Sequence, residues 1–243
     1  EGAADRLYDQ CMLRAKVELP RASRKGFLRL CQDTVNSFDT LPLVNDRSKP
    51  RVGVVGEILV KFHPTANNDV VRVIESEGCE ANVPGLVDFF LFGTSNQINL
   101  KNELGTKAQK RLTHGIGIGL IDQIRKPINK MLEESERFEP WTQICELGKK
   151  AEQVLSLCNT MGEGWLLTAE MVELIEMGTP NIVCASPFAC LPHHVVGKSV
   201  IKRLRQLHPK SNIVAVDYDP GASEVNQLNR IKLMLSSAMR KME

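Results

Sequence analysis

The sequence predicts an open, doubly wound α/β domain in which helices flank both faces of a mostly parallel sheet. Three observations carry this. The short runs Arg51–Val60, Asn181–Cys184 and Asn212–Val216 are rich in β-branched residues on both faces, as strands buried in a parallel sheet are. Helical patterns separate these runs, and a strand, helix, strand rhythm of that length forces right-handed crossovers. With 243 residues and 42% hydrophobic content, the chain has enough apolar material to bury a proper core.

Taken in order, residues 3–17 and 20–38 show helical spacing. Their apolar faces are Leu7, Cys11, Leu13 and Val17, then Phe27, Leu28, Leu30, Cys31 and Val35. These are predicted helices that pack on a neighbouring segment. Asn45–Pro50 is polar and ends in proline, which marks a linker and a boundary near residue 48, so residues 1–48 and 49–243 are read as two parts. After the strand beginning at Arg51, Pro64–Asn68 can cap a helix whose apolar residues Val70, Val71, Val73 and Ile74 run to a stop at Gly78. Residues from about 85 to 160 read as a helical insertion, with helices at Leu86–Phe92, Ile116–Ile128 and Trp141–Leu157. The α/β rhythm then resumes with helix 165–177, strand 181–184, helix 195–207, strand 212–216 and helix 222–239.

Composition restricts function. The net charge of +2, from 31 basic and 29 acidic residues, sets up no single-sign field and gives nucleic-acid binding no support. Apolar runs fall far short of the roughly 20 residues that span a bilayer, so no membrane segment is expected. Residues 1–14 carry neither a signal peptide nor an initiator methionine, and a fragment of a longer protein is the expectation. Seven cysteines, an odd and scattered set, fit reduced thiols in a cytoplasm better than a disulfide framework.

Ligands of open α/β sheets gather outside the carboxyl ends of the strands. The loops Glu57–Asn67, Cys184–His194 and Asp217–Ser223 are therefore expected to share one edge. Two thiols and two imidazoles stand where the strand at Asn181 empties into its loop. Cys184 is either a ligand or a small buried hydrophobe at a strand end. Cys190, between Ala189 and Leu191-Pro192, sits where a core role is less natural and a ligand or reactive-thiol role is open. Their Cys-x5-Cys spacing matches neither zinc-ribbon nor ferredoxin patterns. His193 and His194 can cap, face water or ligate. Cys158, at a helix end, either approaches the same edge or packs a helix. Cys11, Cys31, Cys79 and Cys145 read as structural. Nucleotide motifs are missing: the glycines of 114–119 follow no strand and no Walker lysine occurs. Gly162-Glu163-Gly164 can hold an anion at a helix start or be a plain turn, with Glu163 a helix-start carboxylate. Asp219-Pro220-Gly221 is first a turn, a general acid–base role for Asp217 or Asp219 is conceivable, and spacing assembles no Ser/His/Asp set.

Pro187-Phe188-Ala189-Cys190-Leu191-Pro192-His193-His194, followed by the run Asn212–Leu235, resembles the C-terminal end of the large activator proteins of 2-hydroxyacyl-CoA dehydratase. Gly56-Glu57-Ile58-Leu59-Val60-Lys61-Phe62 and Gly162-Glu163-Gly164-Trp165 look like the same family, so the resemblance covers about residue 50 to the end. It implies flavodoxin-like domains that hold a cubane, 4Fe-4S type iron–sulfur cluster through cysteines from different domains, with an ATPase part driving electrons toward it. On that resemblance Cys190 is the first candidate ligand and Cys184 the second, with Cys158 a third from the same edge. Family members often have glycine where Ala189 stands and asparagine where His193 stands. The ATPase segment and the other cysteine motifs are not visible in this chain, so a cluster is expected in the complete protein and need not be held by this part alone. The implied role is in ATP-driven low-potential electron transfer linked to acyl-CoA dehydration or reduction. The implied partners are the ATPase and other ligand-bearing domains and an acyl-CoA dehydratase or electron-transfer protein. The alternative is a metal-free α/β module that binds a small ligand or neighbouring domains, and a zinc- or thiol-dependent hydrolase comes third for want of spaced histidine ligands.

Overall fold

The computed structural model describes residues 2–43, 49–104 and 108–240, with the side chains of 97–114 excepted. The chain forms two compact units, one of residues 1–47 with 116–143 and one of residues 48–115 with 144–243. The predicted linker residues Asn45–Ser48 lie outside the described residues.

The larger unit holds a four-stranded sheet made of β1 (Arg51–Gly56), β2 (Glu80–Asn82), β3 (Asn181–Pro187) and β4 (Asn212–Tyr218). Their order is β2-β1-β3-β4 and every pairing is parallel. This is the expected open, flavodoxin-like α/β fold. Alternation along β1 sorts side chains to two cores. Val52 and Val54 join Val183, Ala185 and Val216 under α4 (Val70–Ser76) and α11 (Glu224–Arg240), through Ile74, Ile231 and Leu235. On the other face Val55 joins Ile182, Cys184 and Ile213 under α8 (Gly164–Glu176) and α10 (Ile201–Leu207), through Leu167, Met171 and Leu204. Full burial of each such side chain stabilises the fold by about 1.5–3 kcal/mol. The central strands β1 and β3 are thus buried almost throughout, and their accessible chemistry is confined to their ends.

Several elements differ from the pattern expected of the sequence. β1 stops at Gly56, and Ile58–Phe62 forms a short helix, α3, because the Glu57 carboxylate accepts the Val60 N–H at 2.9 Å as an N-cap. β2 is an added edge strand of three residues. β3 and β4 run two or three residues further than the apolar runs suggest, pairing Ser186 with Asp217 and Pro187 with Tyr218. Between β3 and β4 the helix is broken into a turn, α9 (Leu191–His193), then a π-helical turn His194–Lys198 closed by Ser199 N–H on the His194 carbonyl, then α10. The insertion contains α5 (Val87–Leu104), α6 (Ala108–Glu133) and α7 (Ile144–Glu152). Among the described residues no helix is long and apolar enough to cross a membrane.

The smaller unit is helical, with α1 (Ala3–Glu18), α2 (Arg24–Asp39) and α6 from Ile116 onward. Val35 of α2 packs with Ile128 and Leu132 of α6, flanked by Phe27, Leu28 and Cys31. The predicted apolar face of α1 stays largely outside: no residue of α1 is buried, and α1 is tied to α2 by the Arg14–Asp33 ion pair at 2.8 Å.

Candidate functional site

In the strand order β2-β1-β3-β4 the connections leave β1 and β3 in opposite directions, which makes the β1/β3 carboxyl ends the topological switch point where such folds keep their ligand crevice. Here the crevice is tightly closed at its base. Gly56 has φ +153°, and a Cβ on it would lie 2.0 Å from the Ala185 carbonyl oxygen, so only glycine lets β1 bend this close to β3. The next residue locks the bend, Glu57 N–H donating to Ala185 O at 3.0 Å.

Beneath the rim lies a buried polar network. His193, fully buried on α9, sits between the Ser186 hydroxyl at 2.9 Å from Nδ1 and the Glu163 carboxylate at 2.7 Å from Nε2. A carboxylate only accepts, so Nε2 carries a proton and donates to it; in the neutral ring Nδ1 then accepts from Ser186. The other Glu163 oxygen accepts the Ile58 N–H at 3.1 Å. Burial pushes the Glu163 carboxyl up, and the bonds from His193 and Ile58 outweigh it, so the group lies below its ordinary value. One carboxylate therefore ties together the loop after β1, the start of α8 and the turn after β3. Ser186, His193 and Glu163 have the composition of a hydrolytic triad. Their order is reversed, however: the serine meets Nδ1 and the acid Nε2, and the hydroxyl is fully buried. The set is a positioning network.

A second buried pair stands beside it. Lys61 of α3 donates to Glu170 of α8 at 2.8 Å, both side chains nearly inaccessible. Burial pushes the Glu170 carboxyl up, and Lys61 pulls it only partly back. Between the pairs, a cavity of about 10 Å³ lined by Ile58, Lys61, Phe89, Glu163 and Glu170 is the size of a single water.

The thiols of the sequence motif part company here. Cys184 lies inside β3, fully buried, with its Sγ 3.3 Å from where a Gly197 Cβ would be. Burial pushes its thiol up to about 12. It occupies the small-hydrophobe role, three residues inside the strand end and not on the loop. Cys190 is half-buried at the N-cap of α9, its N–H on the Pro187 carbonyl at 3.2 Å. Ala189 before it holds φ +57°, a left-handed conformation that glycine adopts more readily. Phe188 and Leu191 on either side are 66% and 73% exposed. Gly162 (φ +60°) packs its backbone on Pro192, where a Cβ would come within 3.1 Å, and so sets 76%-exposed Met161 beside this turn. Cys158, half-buried after α7, has its N–H on the Ser156 hydroxyl. His194 is exposed.

The third loop is used structurally. Asp217 accepts from Lys198 of the π-helical turn at 2.5 Å, and Asp219 accepts the Gly221 N–H at 2.9 Å as a turn. The glycines of 115–119 lie within α6. Among the described residues no three His, Cys, Asp or Glu side chains are grouped to hold a metal ion. Among the described residues Cys190 would thus supply one thiolate where a cubane cluster takes four ligands.

The signal for the buried network was present but dispersed. A serine in an apolar strand, the first histidine of a doublet and a carboxylate between two glycines lie on different segments, and only the parallel topology makes them neighbours. Comparisons with models of protein families, with curated proteins and with solved structures find no match for this chain.

Proposed function

We propose that this chain is one ligand-bearing α/β part of a cytoplasmic iron–sulfur protein that takes part in ATP-driven, low-potential electron transfer linked to acyl-CoA dehydration or reduction. The observation that supports it is the placement of Cys190: a half-buried cysteine at the topological switch point, on a turn fixed by two prolines and by the His193–Glu163 anchor, with exposed apolar residues on either side. A thiolate there can complete a site whose other ligands come from elsewhere, and these apolar residues suit contact with the domain that brings them. Cluster potential responds to burial and to hydrogen bonds at sulfur, so a turn held in one geometry is a suitable donor. On this reading Cys184 belongs to the core and Cys158 is secondary. The motif around Cys190 supplies the resemblance to dehydratase activators, and the ATPase domain, remaining ligands and acyl-CoA partner belong to the proposal.

The test is anaerobic reconstitution of the complete protein with iron and sulfide. Cys190→Ser should lower iron and sulfide content and the charge-transfer absorbance, while Cys184→Ser leaves both in place. Full cluster content in Cys190→Ser removes that residue from the role. The same exposed residues also support a second reading, a metal-free module that docks neighbouring domains through Met161, Phe188 and Leu191. A complete protein without iron or sulfide after anaerobic preparation, in which polar substitutions at these residues weaken domain association, would favour it.

A further inference from the structure

The smaller unit carries a groove that the reading of the sheet edge leaves unused. It is an open groove of about 880 Å³ between α2, α6 and the segment 141–143, within the size range of small-molecule sites. Four cations line it, Arg24, Arg125, Lys126 and Lys130, against two carboxylates, Asp122 and Glu133. Lys130 is also 3.9 Å from Glu134. The chain as a whole is nearly neutral, so this excess is local.

One wall is an aromatic platform. Trp141 is 40% exposed, while the Arg125 guanidinium lies over its ring at 5.0 Å from the centroid. Arg125 is itself only 8% exposed, so the cation is built in beneath the ring. The Asn129 amide fixes the ring's backbone from both sides, accepting the Trp141 N–H at 3.1 Å and donating to the Trp141 carbonyl at 2.8 Å. A tryptophan held this way, with an arginine over its ring and part of its surface open to water, is a stacking surface prepared in advance. Stacking on a fixed ring sacrifices little conformational freedom. Exposed cations within the same groove supply the complement for phosphate oxygens.

We infer that this groove binds a nucleoside phosphate, its planar base on Trp141 and its phosphates toward Arg24, Lys126 and Lys130. The site lies wholly within the unit that lacks Cys190, so it holds or fails independently of the iron–sulfur reading.

Fluorescence can follow it directly. Trp165, the other tryptophan, is fully buried against Phe92 and bonded to Asn96, so a quencher in the groove acts on Trp141. Titration of the chain with ADP should quench emission saturably, and equilibrium dialysis with labelled ADP should give the same midpoint. The Arg24→Glu/Lys126→Glu double variant, both at exposed positions, should weaken binding at least tenfold, and Trp141→Phe should abolish the optical signal. Adenosine and pyrophosphate should each bind more weakly than ADP. Pyrophosphate binding as tightly as ADP would overturn the stacking role. No saturable binding of ADP by dialysis, or full affinity in the double variant, would overturn the site.

Discussion

The carboxyl edge of the sheet and the groove of the helical unit are both polar, yet they are built in opposite ways. At the edge the charges are inside: Glu163, His193, Lys61 and Glu170 satisfy one another beneath a rim of Met161, Phe188 and Leu191. In the groove Arg125 is buried against the indole, and Lys126, Lys130 and Arg24 stand in water around it. Buried charge carries a desolvation cost that only complete pairing offsets, so it holds backbone in place and is unavailable to a ligand. Solvated charge does little for the fold and is free to meet a partner. Polar substitutions should therefore separate cleanly, with stability effects at the edge and binding effects in the groove.

The largest effect is expected at Lys61. Replacing it with methionine strands Glu170 in a dry site, and removal of one member of a buried pair costs about 3–5 kcal/mol. Urea denaturation should show that loss, and Lys61→Met/Glu170→Leu should recover most of it. The sign of the pH dependence follows from Glu170, whose folded value is raised: protonation relieves the stranded charge, so the deficit of Lys61→Met should shrink as pH falls. A deficit that grows on acidification would contradict the buried-pair account.

Next comes His193→Ala, which leaves Glu163 and Ser186 buried without their shared partner. About 1–3 kcal/mol should be lost per orphaned group. Because His193 anchors the turn, Cys190 should also react faster with a thiol reagent, a change that a purely global destabilisation would spread over every half-buried cysteine. Glu163→Gln is milder, and its signature lies in the acid limb. The folded carboxyl is held below its ordinary value of 4.5, so its ionised form contributes stability above that value, and the contribution is lost as pH falls through the lower folded value. Wild type should lose stability more steeply than Glu163→Gln in that window.

The two thiols offer a sharper contrast. Cys190 should be modified in the folded protein while Cys184, inaccessible and raised to about 12, stays protected until unfolding. Smallest of all should be Arg24→Ala and Lys126→Ala, within about 0.5 kcal/mol of wild type in stability. A loss of several kcal/mol from either would mean that the groove is a structural seam and would erase the distinction drawn above.

The features legible in the sequence were those with a local cause. Val52, Val54 and Val55, Ile182 and Val183, and Ile213 and Val216 announce buried strands, and Gly78 and Gly178 mark the helix ends at Ser76 and Glu176. Ile58 and Val60 misled for the same reason: their β-branching favours a strand, yet the Glu57 cap and the bond from Ile58 to Glu163 bend them into a helix. β2 was invisible because Glu80, Ala81 and Asn82 show no strand composition and pair only because Arg51–Gly53 present an open edge. At the site, the loop and its half-buried Cys190 could be anticipated. The burial of His193 could not, since a histidine doublet before a helix usually faces water, and only Ser186 and Glu163 on other segments make its burial affordable.

The pairing of β1 with β3 also governs how the chain acquires its fold. Val52 meets Asn181 in the sheet, and more than half of the chain lies between them. Closing so long a loop precedes any gain from the pairing, and contacts this distant in sequence are associated with slow folding. During synthesis β1 must emerge and wait for its central partner, an apolar strand with only the short β2 to pair with. The local helix pairs α1–α2 and α7–α8 can form without that wait, so refolding should show early helical signal and a later phase in which the sheet, and with it the Cys190 turn, is completed.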